Sequence, residues 1–300
     1  MSSPPSYPWL PMAPHLDPWI AELTRSDRRP RHKRGGRATK DEAAELALRA
    51  PITAPRRIAV IGLKGGTGKT TLAVAMAMTY ARARRNDVLL FDADTRHGSL
   101  PLRVGVLPVA SARDLAVTGD PGRLEILAGS LARSQDGVWV LPSGRTAAQS
   151  AEMDERVYTA AMNAVYRHFP IMITDCGAGV ATPLMQRVLS GSHCLVLATT
   201  STADGVLTTE SAVDWLYRTG YGELTRRSIV ALTSTSAKGP GMSLAQAQRR
   251  FASSCAAVLA IPADRHLAVG SRLDLDALAP ATRAACTRLA ATALTAARPS

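Results

Sequence analysis

From Arg57 onward, short apolar runs alternate with longer amphipathic stretches along the chain. The runs at residues 58–61, 88–91, 138–141, 171–174, 194–198, 229–232 and 257–261 read as strands. Several are apolar throughout, the pattern of strands covered by helices on both faces. Residues 69–84, 151–168, 203–217, 243–254 and 280–297 read as helices between and after them. Alternation this regular predicts an α/β fold, a doubly wound and mainly parallel sheet. The pattern weakens between Gly98 and Asp136, where short helices are expected at residues 112–117 and 123–133.

Upstream the pattern is different. Six prolines fall within the first twenty residues, interleaved with Trp9 and Trp19, and residues 25–40 hold eight basic residues against one acid. Neither stretch suits a regular element, so residues 1–38 are expected to form a disordered tail, Pro/Trp-rich and then Arg-rich. Two tryptophans have no packing use in a solvated tail, which points to docking of a protein partner. Thr39 and Glu42 form a capping-box pattern for a short helix reaching Arg49, ended by Pro51 and Pro55. The division expected is a tail at 1–38, a helix and linker at 39–55, and one α/β domain at 56–298.

Composition narrows the function classes. Three hundred residues suffice for a sizeable core, and no uninterrupted apolar run approaches ~18 residues, which argues against a membrane-spanning helix. The start lacks a basic segment followed by an apolar one, and the four cysteines are scattered without a C-x-x-C. Both features favour a cytoplasmic protein without a disulfide framework. The net charge of +12 suits weak, sequence-independent contact with DNA phosphates. Arginine outnumbers lysine 31 to 5, yet Lys64 and Lys69 stand five positions apart, where a compact ammonium is wanted.

Those lysines flank a glycine-rich turn in IAVIGLKGGTGKTT, residues 58–71. A buried strand running into such a turn and then a helix is built to wrap phosphate oxygens. Gly65, Gly66 and Gly68 permit close approach, with Thr67 and Thr71 completing the loop. Lys69 can reach the β- and γ-phosphates, and the Thr70 hydroxyl can ligate Mg²⁺. Further on, the second strand run ends in Asp92-Ala93-Asp94, and residues 171–174 lead into Asp175. Carboxylates at the C-terminal ends of parallel strands suit the holding of Mg²⁺ and the orienting of a nucleophilic water. His97 reads as a surface loop residue and Cys176 as a small packed one. Thr233-Ser234-Thr235 follows a late strand and can bond a base edge, without being diagnostic.

The run Lys64-Gly65-Gly66-Thr67-Gly68-Lys69-Thr70-Thr71 has Leu63 where the general P-loop pattern has glycine. It resembles the deviant P-loop of the MinD/ParA ATPases, P-loop NTPases of SIMIBI type, in which a signature lysine precedes the paired glycines. The resemblance extends over most of residues 57–275. It implies a slowly hydrolysing ATPase that uses Mg²⁺ and forms ATP-dependent homodimers. In that reading Lys64 reaches across to the partner's ATP, Asp94 is the hydrolytic residue, and Asp92 supports it. Asp175-Cys176-Gly177-Ala178-Gly179 is similar to the family's D-x-P-A-G stretch, with Gly177 in place of proline. Ala260-Ile261-Pro262-Ala263-Asp264 resembles the loop that lines adenine, making Pro262 and Asp264 base contacts. The choice of ATP over GTP follows from the resemblance alone.

The opening TAPRRIAVIGLKGGTGKTTLAVAMA and the later RLDLDALAPATRAA also look like actinobacterial MinD-like ATPases associated with type VII secretion. A plasmid or chromosome partition ATPase is the alternative, and a nucleotide-binding regulator without hydrolysis is a third. The cysteines do not match a cluster-bridging reductase, and no tyrosine-rich tail suggests an autokinase. The alanine-rich C-terminus has little bulky apolar surface, so membrane contact is at most peripheral.

Overall fold

The computed structural model describes residues 35–84, 87–96, 98–234 and 241–298. Among them, eight strands form one sheet: β1 (Arg56–Gly62), β2 (Val88–Ala93), β3 (Ala132–Arg133), β4 (Val138–Leu141), β5 (Ile171–Ala178), β6 (Cys194–Thr200), β7 (Ile229–Thr233) and β8 (Ala257–Ile261). Their order across the sheet is β3-β4-β2-β5-β1-β6-β7-β8. All neighbours are parallel except β3 and β4. The chain works outward from β1 on one side, returns as β5, and crosses β1 to build the other side. That reversal opens a crevice at the carboxyl end of β1, where ligands bind in sheets of this kind.

The helices of eight residues or more are α1 (Gly35–Arg49), α2 (Lys69–Arg84), α3 (Glu155–Val165), α4 (Pro183–Gly191), α5 (Ala203–Arg218), α6 (Leu244–Phe251) and α7 (Pro280–Ala296). Alternate strand residues face opposite layers. Ile58, Val60, Leu90, Ile173 and Val196 pack into a core with Leu72, Met76 and Met78 of α2 and Leu289 and Leu294 of α7. On the other face the Phe91 ring meets the Tyr158 ring of α3 at 5.2 Å. The P-loop helix α2 is buried from Leu72 to Ala81. Its Tyr80 hydroxyl donates to the Ala290 carbonyl at 2.6 Å, which satisfies the one polar atom of a fully buried ring. The C-terminal helix thus spends its apolar face on the core. Among the described residues no helix is long and apolar enough to cross a membrane.

The seven strand runs read from the sequence form strands β1, β2 and β4–β8, and α2 has the expected bounds. Four expectations are corrected. Residues 123–133 hold a helix only at Leu124–Ala128, after which Ala132 and Arg133 pair with Val140 and Trp139. The hairpin closes through Gly137 at φ +85°, and the Asp136-Gly137 pair is the local signal for that turn. The helix expected at 151–168 is two elements, Ala147–Ala151 and α3. Asp154 separates them because its carboxylate accepts the N–H groups of Arg156 and Val157 at 3.0 and 2.8 Å. Helix α4 was not expected, although Thr182-Pro183 is a start signal and the Thr182 hydroxyl accepts the Met185 N–H. Finally, α1 begins at Gly35, so Thr39 lies inside it. Ala44 and Leu48 anchor the helix in the core, and a helix once held extends more easily than it nucleates.

A half-buried histidine stands just before β6, at the opposite end of the strands from the crevice, and its surroundings favour the neutral form. His193 Nδ1 accepts the Arg57 N–H at 3.0 Å. Burial, then Arg57, Arg56 and Arg227, push its pKa down to about 4. The unfolded chain takes up the proton near 6.5, so below that pH the unfolded state binds more protons. Stability contributed by neutral His193 is therefore present above pH 6.5 and lost as pH falls toward 4. Urea denaturation of wild type and His193→Asn is expected to converge as pH falls through this window.

Candidate functional site

The strand register assembles the site. Asp92 of β2 is the partner of Asp175 of β5, which in turn is the partner of Val60 of β1. Three central strands therefore end at one level, and both carboxylates emerge beside the loop that leaves β1. That loop needs left-handed backbone at Gly66 (φ +77°) and Gly68 (φ +86°), where a side chain would be strained. A Cβ built on Gly65 or Gly66 would meet no described atom within 4 Å, so the concave side of the loop is open. The Thr67 hydroxyl donates to the Lys64 carbonyl at 3.3 Å, and Lys69 Nζ curls back onto the same carbonyl at 3.1 Å. Burial lowers the Lys69 pKa, opposed by the charges of Asp175 and Asp94. The loop then enters α2 with Thr70 in its first turn, hydrogen-bonded to the Asp175 carboxylate.

Asp92 and Asp175 are 1 % and 2 % exposed. Asp92 Oδ1 accepts the Asp94 N–H at 2.9 Å, but Asp92 Oδ2 and Asp175 Oδ1 are buried with no hydrogen-bond partner among the described residues. Burial first, and the neighbouring Asp175 second, push the Asp92 pKa far up; burial lifts Asp175 to about 7. Two orphaned hard oxygens next to a threonine hydroxyl fit a small divalent cation such as Mg²⁺, which takes one or two carboxylates and completes its shell with phosphate and water. Asp94 is different: its side chain is 28 % exposed and lines the cavity. Its Oδ1 accepts the Arg96 N–H at 3.0 Å. A Cβ on Gly177 would stand 3.1 Å from that same oxygen, so glycine in place of proline leaves Asp94 its present position. Gly98 is tighter still, a Cβ there falling 1.9 Å from Asp92 Oδ2.

A cavity of about 790 Å³ runs from this loop to the end of β8. Gly65, Gly66, Gly68, Lys69, Thr70, Thr71 and Asp94 line one end, and Ser234, Ile261, Pro262 and Asp264 the other. Pro262 and Asp264 thus line the cavity away from the glycine loop, but the Asp264 carboxylate is already occupied. Its two oxygens accept the N–H groups of His266 and Ala279, each at 2.9 Å. Thr233 is similarly engaged, donating to the Thr67 and Thr199 carbonyls. Lys64 is not among the lining residues; its ammonium pairs with Asp204 in the first turn of α5. Arg96, Ser99 and Arg103 line the cavity and were not anticipated from the sequence, which carries no local signal for them. Trp9, Trp19, His97 and Thr235 lie outside the described residues.

Fold and loop together define a P-loop nucleotide-binding protein. Residues 58–258 match the CobQ/CobB/MinD/ParA nucleotide binding domain, and the chain belongs to that family. It is 31% identical over 257 residues to the ESX-1 secretion-associated protein EspI of Mycobacterium tuberculosis, a match covering 84% of this chain and 39% of EspI. The chain thus spans well under half the length of that curated relative. Among solved structures it resembles the ParA family ATPase from Chlorobium tepidum TLS (TM-score 0.65, 16% identity, 79% of this chain and 98% of that one). It also resembles the septum site-determining protein MinD complexed with Mg-ADP from Pyrococcus horikoshii OT3 (TM-score 0.60, 20% identity, 79% and 94%). These likenesses establish the fold.

The buried carboxylates give the ligand-free protein a distinctive pH response. An unfolded aspartate loses its proton near 3.9, whereas folded Asp175 holds it to about 7. Between those values the folded state binds more protons, so stability falls as pH rises from 4 to 7. Asp175→Asn removes that penalty. With EDTA present, its urea midpoint is expected to gain on wild type from pH 4 to 7 and hold the gain above.

Proposed function

We propose that this chain is a Mg²⁺-dependent ATPase that works as a dimerisation switch for a secretion machine of the type VII class. The observation that carries the nucleotide reading is the pair of orphaned carboxylate oxygens at the strand ends beside an open glycine loop, a loop that lines a cavity of about 790 Å³, within the size range of small-molecule sites. The likeness to EspI supports the secretion setting, with Trp9 and Trp19 as the docking element for a protein partner.

In this reading the N–H groups of residues 65–70 cradle the phosphates, strengthened by the positive end of α2. Lys69 leaves the Lys64 carbonyl and turns its ammonium to the β- and γ-phosphates. Thr70, Asp92 and Asp175 would hold Mg²⁺, which supplies neutralisation of phosphate charge when bound. Asp94, at the cavity wall and not buried with the other two, orients the water that attacks the γ-phosphate. The products are ADP and inorganic phosphate. Pro262 and the neighbouring main chain receive the base, and Asp264 shapes that loop through its two backbone bonds. The net charge of +12 favours a second reading, a partition ATPase that holds DNA through phosphate contacts.

Turnover assays on purified variants test the chemistry. Lys69→Ala is expected to bind no Mg·ATP at concentrations that saturate wild type. Asp94→Ala is expected to bind it normally and lose turnover by about 100-fold or more, the scale of a removed water-positioning group. Unchanged turnover in Asp94→Ala assigns the role elsewhere.

The dimer reading requires Lys64 to exchange Asp204 for the nucleotide of a second copy. Light scattering in the Asp94→Ala background is expected to show ATP-dependent dimers, none with Lys64→Ala, and tighter association with Asp204→Ala. Monomers under every condition overturn the switch while leaving the ATPase reading intact.

A further inference from the structure

Arg103 lies on the short helix Leu100–Val104 that follows the Asp92–Asp94 stretch. Its Nη2 donates to the Thr71 hydroxyl at 3.1 Å and its Nη1 to the Ser271 carbonyl at 3.3 Å. The Arg103 carbonyl in turn accepts the Leu273 N–H at 2.8 Å. One residue thus joins three parts of the cavity wall: the first turn of α2, the segment after Asp94, and the loop ahead of α7.

The charge balance at this arginine bears on its role. It is half-buried and lines the cavity, yet no carboxylate among the described residues pairs with it. Half-buried Arg250 and Arg288 have carboxylate partners in Glu210 and Asp41. Arg84 lacks an acid but is satisfied by the carbonyls of Leu48 and Ala50 at 2.6 and 2.7 Å, away from the cavity. The contacts of Arg103 are longer, and two of its five donors are used in them. Burial pulls its pKa down with no anion to oppose the effect. A guanidinium in that condition, on a cavity wall, suits an anionic ligand.

Its place along the cavity selects which anion. Lys69 and Thr70 serve the β- and γ-phosphate end of a nucleotide in a P-loop. Thr71, which Arg103 contacts, is the next residue along α2 and lines the cavity, and Ser271 lies in the segment after the helix Arg265–Val269 that follows β8. We propose that Arg103 is a nucleotide-binding residue that contacts the α-phosphate and ribose end, resting on the nucleotide reading above. Because ADP and ATP share that end, the contact retains both equally, while discrimination between them falls to the γ-phosphate groups near Asp94.

Calorimetric titration of the full chain with Mg·ADP and Mg·ATP tests this, using the Asp94→Ala background for ATP. Arg103→Met keeps the apolar stem and removes the charge. It is expected to weaken both nucleotides by about tenfold, the scale of one charge-assisted hydrogen bond. Arg103→Lys is expected to fall between Met and wild type, and the melting temperature of the nucleotide-free protein to change little, since the main-chain bond to Leu273 remains and the two side-chain contacts are long. Wild-type affinity in Arg103→Met overturns the proposal, as does weakening of ATP alone. A loss matched by a drop in nucleotide-free melting temperature also overturns it, since that marks a packing role. If wild type itself binds neither nucleotide, the failure belongs to the nucleotide reading and not to Arg103.

Discussion

Two carboxylates carried into the interior on adjacent strands, each with an unpartnered oxygen, are the constraint around which the site is arranged. An ionised carboxylate without a partner costs several kcal/mol to bury, and two neighbours raise the cost further. Burial accordingly pushes the Asp175 carboxyl up to about 7. Nearby groups are arranged around the two carboxylates: Thr70 bonds Asp175, the Asp94 N–H bonds Asp92, and Gly98 lies against the Asp92 carboxylate where any side chain would collide. A site so poised favours a ligand that brings positive charge to the two oxygens.

The same strand ends depend on α2 for their support. This helix is apolar on almost every side because it is enclosed by the sheet, α1 and α7. The Tyr80–Ala290 bond ties it to the C-terminal helix, and α1 closes the remaining side through Ala44 and Leu48. Since Lys69 and Thr70 open α2, the rigidity of its buried length fixes those two residues at the cavity wall. The helix that looks least functional by sequence, alanine-rich α7, therefore holds the site from behind.

Cations at or beside the cavity are held by local contacts. Lys69 bonds a carbonyl of its own loop, Lys64 bonds Asp204, and Arg103 bonds a hydroxyl and a carbonyl. Arg96 is within 3.8 Å of Asp94. Of these, Lys64–Asp204 is an exposed pair and Arg96–Asp94 a partly exposed one, each weak enough in water to be exchanged for another anion.

The strands and the phosphate loop were legible in the sequence because each is a local pattern. Four or five consecutive apolar residues bounded by turns suffice for a covered strand, and a glycine-rich turn between strand and helix names its own chemistry. The sequence therefore determined the parallel α/β fold and the residues from Gly65 to Thr71, with Asp94 and Asp175 marked by their strand ends. The tertiary structure alone decided which charges meet. Lys64 pairs with Asp204, 140 residues away, and Arg103 reaches Ser271, 168 residues away. It also decided that Thr233 and the Asp264 carboxylate are taken up by backbone partners, and that Arg133 joins a two-residue strand. These outcomes depend on the order of strands and the packing of loops at one sheet end, and contacts between residues so distant in the chain leave no pattern in the sequence around either one.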